Sequence, residues 1–509
     1  MVVDFQNCFI FILFSFFSLL CYSVFFWKTK LEADLPPSPP SLPVIGHLHL
    51  LLSEISHKAF QKISTKYGPL LYLRIFSFPI VLASSPSVAY ELFRTHDVNV
   101  SSRVPPITID SLIFGSSGFA SAPFGEYAKF MKKLLATRLF RTQAIKNLRG
   151  VRAEELERFY LDLCDKAVKK ESIEIGEETM KFTNNMICRM CMGRSCSVEN
   201  GGIERVRELI IKSFALSQKL FFANTCLTWL EKLGISLFKK DIMDVSNGFD
   251  ELLERILVEH EEKPEEDKDM DMMDLLLEAS REENAEYKVT RKQIKSLFVE
   301  IFMAGIDTAA QATQWTMAEI INNPNILERL RGEIDLVVGK SRLIQETDIP
   351  NLPYLQAVVK EGLRLHPPGP FLVRRFQESC KIKEFYVPGQ TTLLVNVYAI
   401  MRDPDLWEDP DEFKPERFLT SSRSSEQEEE IKEQAFKYIP FGAGRRGCPA
   451  GNLGSIFVGM AVGMMVQCFD WRINEHGEVS MEEVIAGISL TMARPLKCTP
   501  VSRLSHFSL

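Results

Sequence analysis

The hydrophobic pattern changes character several times along the chain. From Phe9 to Trp27, nineteen residues pass without a charge, with Asp4 before them and Lys28 and Lys30 after. As a helix that stretch is about 28 Å long, close to the ~30 Å hydrocarbon core of a bilayer. The two lysines place the rest of the chain in the cytosol by the positive-inside rule. A cleaved signal peptide is the competing reading, but neither a basic leader nor a small-x-small cleavage site is evident. The expectation is a single transmembrane anchor over residues 1–30. A proline run, Pro36-Pro37-Ser38-Pro39-Pro40-Ser41-Leu42-Pro43, follows and ends near Gly46. It cannot continue a helix, so residues 31–46 are expected as a stiff polyproline II hinge. Residues 47–509 are then expected as one catalytic domain.

Within that domain, Leu70–Ile75 and Pro79–Ser84 are rich in branched residues and bounded by Gly68-Pro69 and Pro86, the signature of strands. From Ser87 to about Val338 the periodicity is helical, as over Ala153–Lys169, Phe249–Glu262 and Arg291–Asn322. The charged run from His260 to Asp274 reads as a solvated loop, with a metal or partner site as the alternative. After Pro367 come strand signals, PGQTTLLVNVYAI and GISLTMARPLKC, with a long helix, Leu453–Gln467, between them. The predicted fold class is α+β: mainly helical, with small β-sheets.

Composition narrows the function classes. Of 509 residues 46% are hydrophobic, and the net charge of −7 argues against a nucleic-acid binder. The eleven cysteines are an odd number and cannot all pair within one chain. A metal knuckle in the Cys188, Cys191, Cys196 cluster would need a second ligand pair that is missing, and buried apolar cysteines on a helix are the simpler reading.

Three patterns carry chemistry. In Phe441-Gly442-Ala443-Gly444-Arg445-Arg446-Gly447-Cys448, a glycine-rich loop can approach a large flat ligand and presents one cysteine ahead of a helix starting near Gly451. Its two arginines and the helix N-terminus favour a thiolate, hence a metal ligand. A nucleophilic or inert cysteine is the alternative. In Ala304-Gly305-Ile306-Asp307-Thr308, a hydroxyl beside a carboxylate in an apolar helix can relay protons, and Gly305 suggests close ligand approach. The alternative is a threonine bonded to its own i−4 carbonyl. Glu361 and Arg364 share a helix face at i, i+3, and Arg417 is placed to join them in a buried, structural triad.

In this order and separation the three patterns resemble the cytochrome P450 family from the proline run to near Val501. The resemblance implies haem b, with Cys448 as axial iron ligand, Thr308 as the oxygen-activating threonine and Asp307 as its acidic partner. It also implies propionate contacts from Arg446, Arg375 and Lys129, with Phe441 and Gly442 in the cofactor-binding loop. Glu361, Arg364 and Arg417 would brace that loop. Two departures stand out: Ala128 occupies the position of a tryptophan, and Ala450 replaces a glycine beyond the cysteine. In detail the chain is most similar to plant microsomal members, in particular a crucifer group associated with oxidising triterpenes. Substrate contacts would fall around 107–124, 214–222, 298–302, 371–373 and 488–490, many of them apolar.

The implied activity is an NADPH- and O2-dependent monooxygenation of a hydrophobic small molecule at the endoplasmic reticulum membrane. No nucleotide-binding fingerprint is present, so electrons would come from a separate NADPH-cytochrome P450 reductase docking on Lys129, Lys132, Lys133 and Arg138. An isomerase or lyase of the same fold and a non-enzymatic haem protein are the rival readings.

Overall fold

The computed structural model describes residues 14–18, 34–51, 57–76, 78–103, 118–120, 122–193, 202–226, 238–262, 270–282, 287–419, 435–473, 479–486 and 489–503. Most of the expected anchor lies outside them; Phe14–Ser18 is helical. The elements used below are, in chain order, α1 (His57–Tyr67), β1 (Leu70–Ile75), β2 (Phe78–Ala83), α2 (Arg149–Lys169), β3 (Ile173–Glu174), α3 (Ile175–Met192), α4 (Lys239–Glu262), α5 (Met272–Arg281), α6 (Arg291–Asn322), α7 (Pro353–Leu365), β4 (Phe371–Arg375), β5 (Cys380–Ile382), β6 (Phe385–Val387), β7 (Thr392–Asn396), α8 (Gly451–Cys468), β8 (Phe469–Ile473), β9 (Glu483–Ala486), β10 (Ser489–Met492) and β11 (Lys497–Ser502).

The region expected as one domain divides into two compact units. The first, residues 1–102, 371–406 and 427–438, holds a four-stranded sheet in the order β1-β2-β7-β4. Only the β2–β7 pairing is parallel. Leu71, Leu73 and Leu82 bury its inner face against Phe60 and Ile63 of α1. The proline run is part of this unit rather than a free spacer. Proline lacks an N–H but keeps its carbonyl: Tyr72 N–H donates to Pro37 O (2.9 Å) and His47 Nε2 to Pro39 O (2.8 Å). Predicted strand PGQTTLLVNVYAI ends earlier than expected. Asn396 accepts from Ala399 N–H (3.1 Å), and this cap turns Val397–Ile400 into a helical turn.

The second unit, residues 103–370, 407–426 and 439–509, is helical, with the sheets β3-β11-β8 and β10-β9 at its edge. α6 begins at a reciprocal capping box, Thr290 with Gln293, and stops ahead of Pro324. It runs against α3. Thr183 donates to Ile306 O (2.9 Å), and a Cβ on Gly305 would come within 2.7 Å of Ile187 Cδ1. A side chain at Gly305 would therefore crowd α3, so close helix packing is a reason for glycine here. α7 crosses the same helix at Gly362, whose Cβ would lie 2.4 Å from Thr316 Oγ1. α8 has the length and hydropathy of a membrane span, yet most of its side chains are buried in this core.

The charged run between α4 and α5 is not solvated at its ends. His260, Asp271 and Asp274 are all buried. His260 donates from Nδ1 to Ile256 O (2.7 Å) and pairs through Nε2 with Asp271 Oδ2 (2.8 Å), while Asp271 caps α5. Charges bury when they satisfy one another. Cys188 and Cys191 lie buried on α3, Cys191 Sγ 3.9 Å from Met272 Sδ; Cys196 lies outside the described residues.

Candidate functional site

The cysteine loop is built from hydrogen bonds that only a glycine-rich segment can make. Gly442 (φ +71°) and Gly444 (φ +70°) lie in the left-handed region, where a side chain would be strained. Gly442 N–H donates to Ile439 O (2.9 Å), Gly447 N–H to Gly444 O (3.1 Å), and Cys448 N–H to Phe441 O (2.9 Å). Phe441 packs its ring on α8, where a Cβ on Gly451 would stand 3.0 Å from Phe441 Cγ. The result fixes Cys448 three residues ahead of Gly451, the first residue of α8.

Cys448 is exposed by area, yet burial raises its thiol pKa above the ordinary value. The sulfur therefore opens onto a space that protein largely surrounds. Two features oppose that shift: the Ala450 N–H bonded to the sulfur, and the charge of Arg103. Arg445 and Arg446, expected to favour the thiolate, are engaged otherwise. Arg446 is buried and donates from Nη1 to Phe119 O (2.7 Å) and from Nη2 to Ala122 O (2.5 Å). The Arg445 guanidinium lies over the Phe124 ring, 5.8 Å from its centroid.

Arg103 was missed in the sequence, where it sits in no motif. Its Nη1 donates to Ala120 O (3.1 Å), while its buried Nε finds no hydrogen-bond partner among the described residues. Burial lowers its pKa, and Glu300 and Cys448 oppose that effect. Arg446 falls to about 10, first through burial and then through the neighbouring charge of Arg103. Two neighbouring guanidiniums, one lowering the pKa of the other and itself holding an orphaned donor, are a site for an anion.

On α6 a face opens in the middle of an otherwise buried helix. Ala304 is exposed and Glu300, Thr308 and Gln311 are half-buried, at i, i+4, i+8 and i+11. Thr308 Oγ1 donates to Ala304 O (2.6 Å), the i−4 bond weighed above. Asp307 is buried and accepts from Gln311 Nε2 (3.2 Å).

The structural triad is brought together within the second unit. Arg364 grips Glu361 with Nε (2.7 Å) and Nη2 (2.8 Å), both side chains at 0% exposure. Arg417 Nε (3.2 Å) and Lys414 N–H (2.9 Å) complete the carboxylate's shell. The arginines then reach the 408–412 turn, Arg364 at Pro410 O (2.7 Å) and Arg417 at Asp409 O (2.7 Å).

Two further expected cofactor contacts, Lys129 and Arg375, make protein contacts of their own. Lys129 is half exposed and paired with Glu126 (2.6 Å). Arg375 lies on β4 of the first unit, where its N–H donates to Ser102 O (2.8 Å) and its Nε to Gln390 O (3.3 Å). Ala128, at the position of a tryptophan in the resemblance, is buried in the core.

A thiol held at the mouth of a glycine loop, an anion site beside it and an opened helix face bearing a hydroxyl define a haem-thiolate class of protein. Comparison with known proteins agrees. The family model for cytochrome P450 matches residues 36–497, and the chain belongs to the cytochrome P450 family. It is 65% identical to cytochrome P450 705A12 of Arabidopsis thaliana, over 100% of this chain and 99% of that one. It is 39% identical to 3,9-dihydroxypterocarpan 6A-monooxygenase of Glycine max, over 96% and 97%. A zebrafish cytochrome P450 structure with progesterone shares the fold at a TM-score of 0.74 and 24% identity, covering 88% of this chain and 99% of that one. The protein is thus a P450 monooxygenase, and its family implies a haem cofactor. The residues present fit that group: Cys448 would supply a soft sulfur ligand, and Arg103 and Arg446 would supply positive charge for its propionates.

Proposed function

We propose that this P450 hydroxylates, or oxidises in a related way, a large hydrophobic plant metabolite of the triterpene class. On this reading the chain is anchored in the endoplasmic reticulum membrane by residues 1–30 and takes electrons from an NADPH-cytochrome P450 reductase. The observation that carries the chemistry is the opened face of α6. Haem bound at Cys448 supplies oxygen activation by stepwise electron delivery. Thr308 has placed its own proton on Ala304 O, so the lone pairs of Oγ1 are free to accept a hydrogen bond from a donor in the open space. Asp307, held by Gln311, is the buried carboxylate from which protons are replenished. The 65% identity to an Arabidopsis relative supports the plant assignment, and the triterpene class rests on resemblance.

A recombinant microsome test decides it. The protein, a plant reductase and NADPH are incubated with a panel of triterpene alcohols and, for contrast, with phenolic substrates of similar mass. Oxygenated triterpene products that need NADPH and O2 are the expected result. Thr308→Ala should retain NADPH consumption while product per NADPH falls about a hundredfold, the lower end of the range for one proton-transfer group. Turnover of the phenolics alone would overturn the substrate class, and NADPH-independent rearrangement would overturn the reaction class.

A further inference from the structure

One charged side chain on α6 has no place in the motifs described so far. Glu300 stands two turns before Thr308 on the opened face, in a helix that is otherwise apolar around it. Oε2 accepts from Phe119 N–H (2.9 Å) and Oε1 from Ala120 N–H (2.8 Å). The carbonyls of the same short segment point the other way. Phe119 O and Ala122 O take both terminal nitrogens of Arg446, and Ala120 O takes Arg103 Nη1.

We propose that Glu300 is a positioning residue for the haem pocket: by clamping the backbone at Phe119 and Ala120, it sets the carbonyls that aim Arg103 and Arg446. The chain of bonds runs from α6, through Phe119 and Ala120, to Arg446, two residues before Cys448. A helix that carries the oxygen-side threonine is in this way tied to the loop that carries the sulfur. The arrangement is built closely. A Cβ on Gly118 would lie 2.1 Å from Glu300 Oε1 and 2.9 Å from Ser296 Oγ, so the segment lies directly against the carboxylate. A lone surface carboxylate would gain little from two backbone donors, but in this half-buried position charge-assisted bonds are short and strong. The negative charge also offsets the positive charge of both arginines. Arg446 and Arg103 could not hold their present hydrogen bonds if the carbonyls of Phe119, Ala120 and Ala122 moved freely. The proposal rests on the P450 reading only where it concerns haem; the clamp itself does not need it.

The test uses the haem-loaded protein with Glu300→Gln, which keeps the side chain's size, removes its charge and turns one acceptor into a donor facing an N–H. A second variant, Gly118→Ala, displaces the carboxylate while leaving it charged, and serves if the first fails to fold. Three readouts are compared with wild type. Amide exchange at Phe119 and Ala120 should quicken at least tenfold in both variants. Haem release to an apo-globin acceptor should quicken about tenfold. The midpoint potential of the haem iron should rise in Glu300→Gln, which has lost a negative charge, and stay near wild type in Gly118→Ala, which has not. Exchange within twofold of wild type would overturn the clamp. Faster exchange with unchanged haem release, or equal potentials in the two variants, would reduce Glu300 to a loop tether and overturn its positioning role. Haem that lacks a thiolate signature in the wild type would instead overturn the assignment of Cys448, and the exchange data would still decide the clamp.

Discussion

Glu361→Gln is the substitution whose cost the structure defines best. The change keeps volume and removes only charge, so no cavity term enters. Oε2 accepts from Arg364 Nε, and Oε1 accepts from Arg364 Nη2, Arg417 Nε and Lys414 N–H, at 2.7, 2.8, 3.2 and 2.9 Å. Glutamine must turn its amide nitrogen toward one of these donors. One guanidinium at 0% exposure and another at 11% then lose their counter-charge. Breaking a buried pair from one side costs about 3–5 kcal/mol, because the partner stays buried and uncompensated. The carbonyls of Asp409 and Pro410 still hold the arginines, which places the expected loss near the lower bound. Against a total of about 5–15 kcal/mol, that is a large share of the stability. The assay is a urea titration followed through the carbon-monoxide difference band, with far-ultraviolet circular dichroism alongside. Arg417→Lys, which keeps the charge and loses the fork, should cost less. A Glu361→Gln loss under about 1 kcal/mol, the range of an exposed pair, would refute the claim that the triad is a buried electrostatic unit.

Gly305→Ala should gain about 1 kcal/mol of helix propensity and lose about 1–3 to crowding against Ile187 Cδ1. Ile187→Val removes that atom, so the double variant should be more stable than the sum of the singles predicts; additive values in a thermodynamic cycle would contradict the packing explanation. The His260–Asp271 bond makes stability depend on pH. Burial alone lowers the histidine's pKa, but the hydrogen bond and charge of Asp271 raise it above the ordinary 6.5. Its contribution is complete below 6.5 and is lost as pH rises through the raised folded value. The stability gap between wild type and His260→Gln, measured by thermal unfolding, should therefore shrink from pH 6 upward, and a gap that widens would refute it.

Much of the fold was legible where local and tertiary signals agree. The helix Arg291–Asn322 was readable because apolar spacing, a threonine cap and the Asn323-Pro324 stop coincide. Residues Val397–Ile400 were not, since branched residues read as strand and the deciding cap is one asparagine side chain. The buried ends of the His260–Asp271 segment were hidden for a related reason. Composition reports charge, but not that two charges eleven positions apart satisfy each other. Within the site, Cys448 and the triad stand in dense patterns with fixed spacing. Arg103 and Glu300 act through the backbone of Phe119 and Ala120, and backbone partners leave no pattern of residue types to read.

The central claim is that Cys448 holds a haem iron through sulfur. The reduced carbon-monoxide difference spectrum of the expressed protein, wild type beside Cys448→Ala, tests it most directly. A strongly red-shifted Soret band in the wild type, absent from the variant, is the predicted result. A band at the position of histidine-ligated haem, or one that survives in Cys448→Ala, would contradict it.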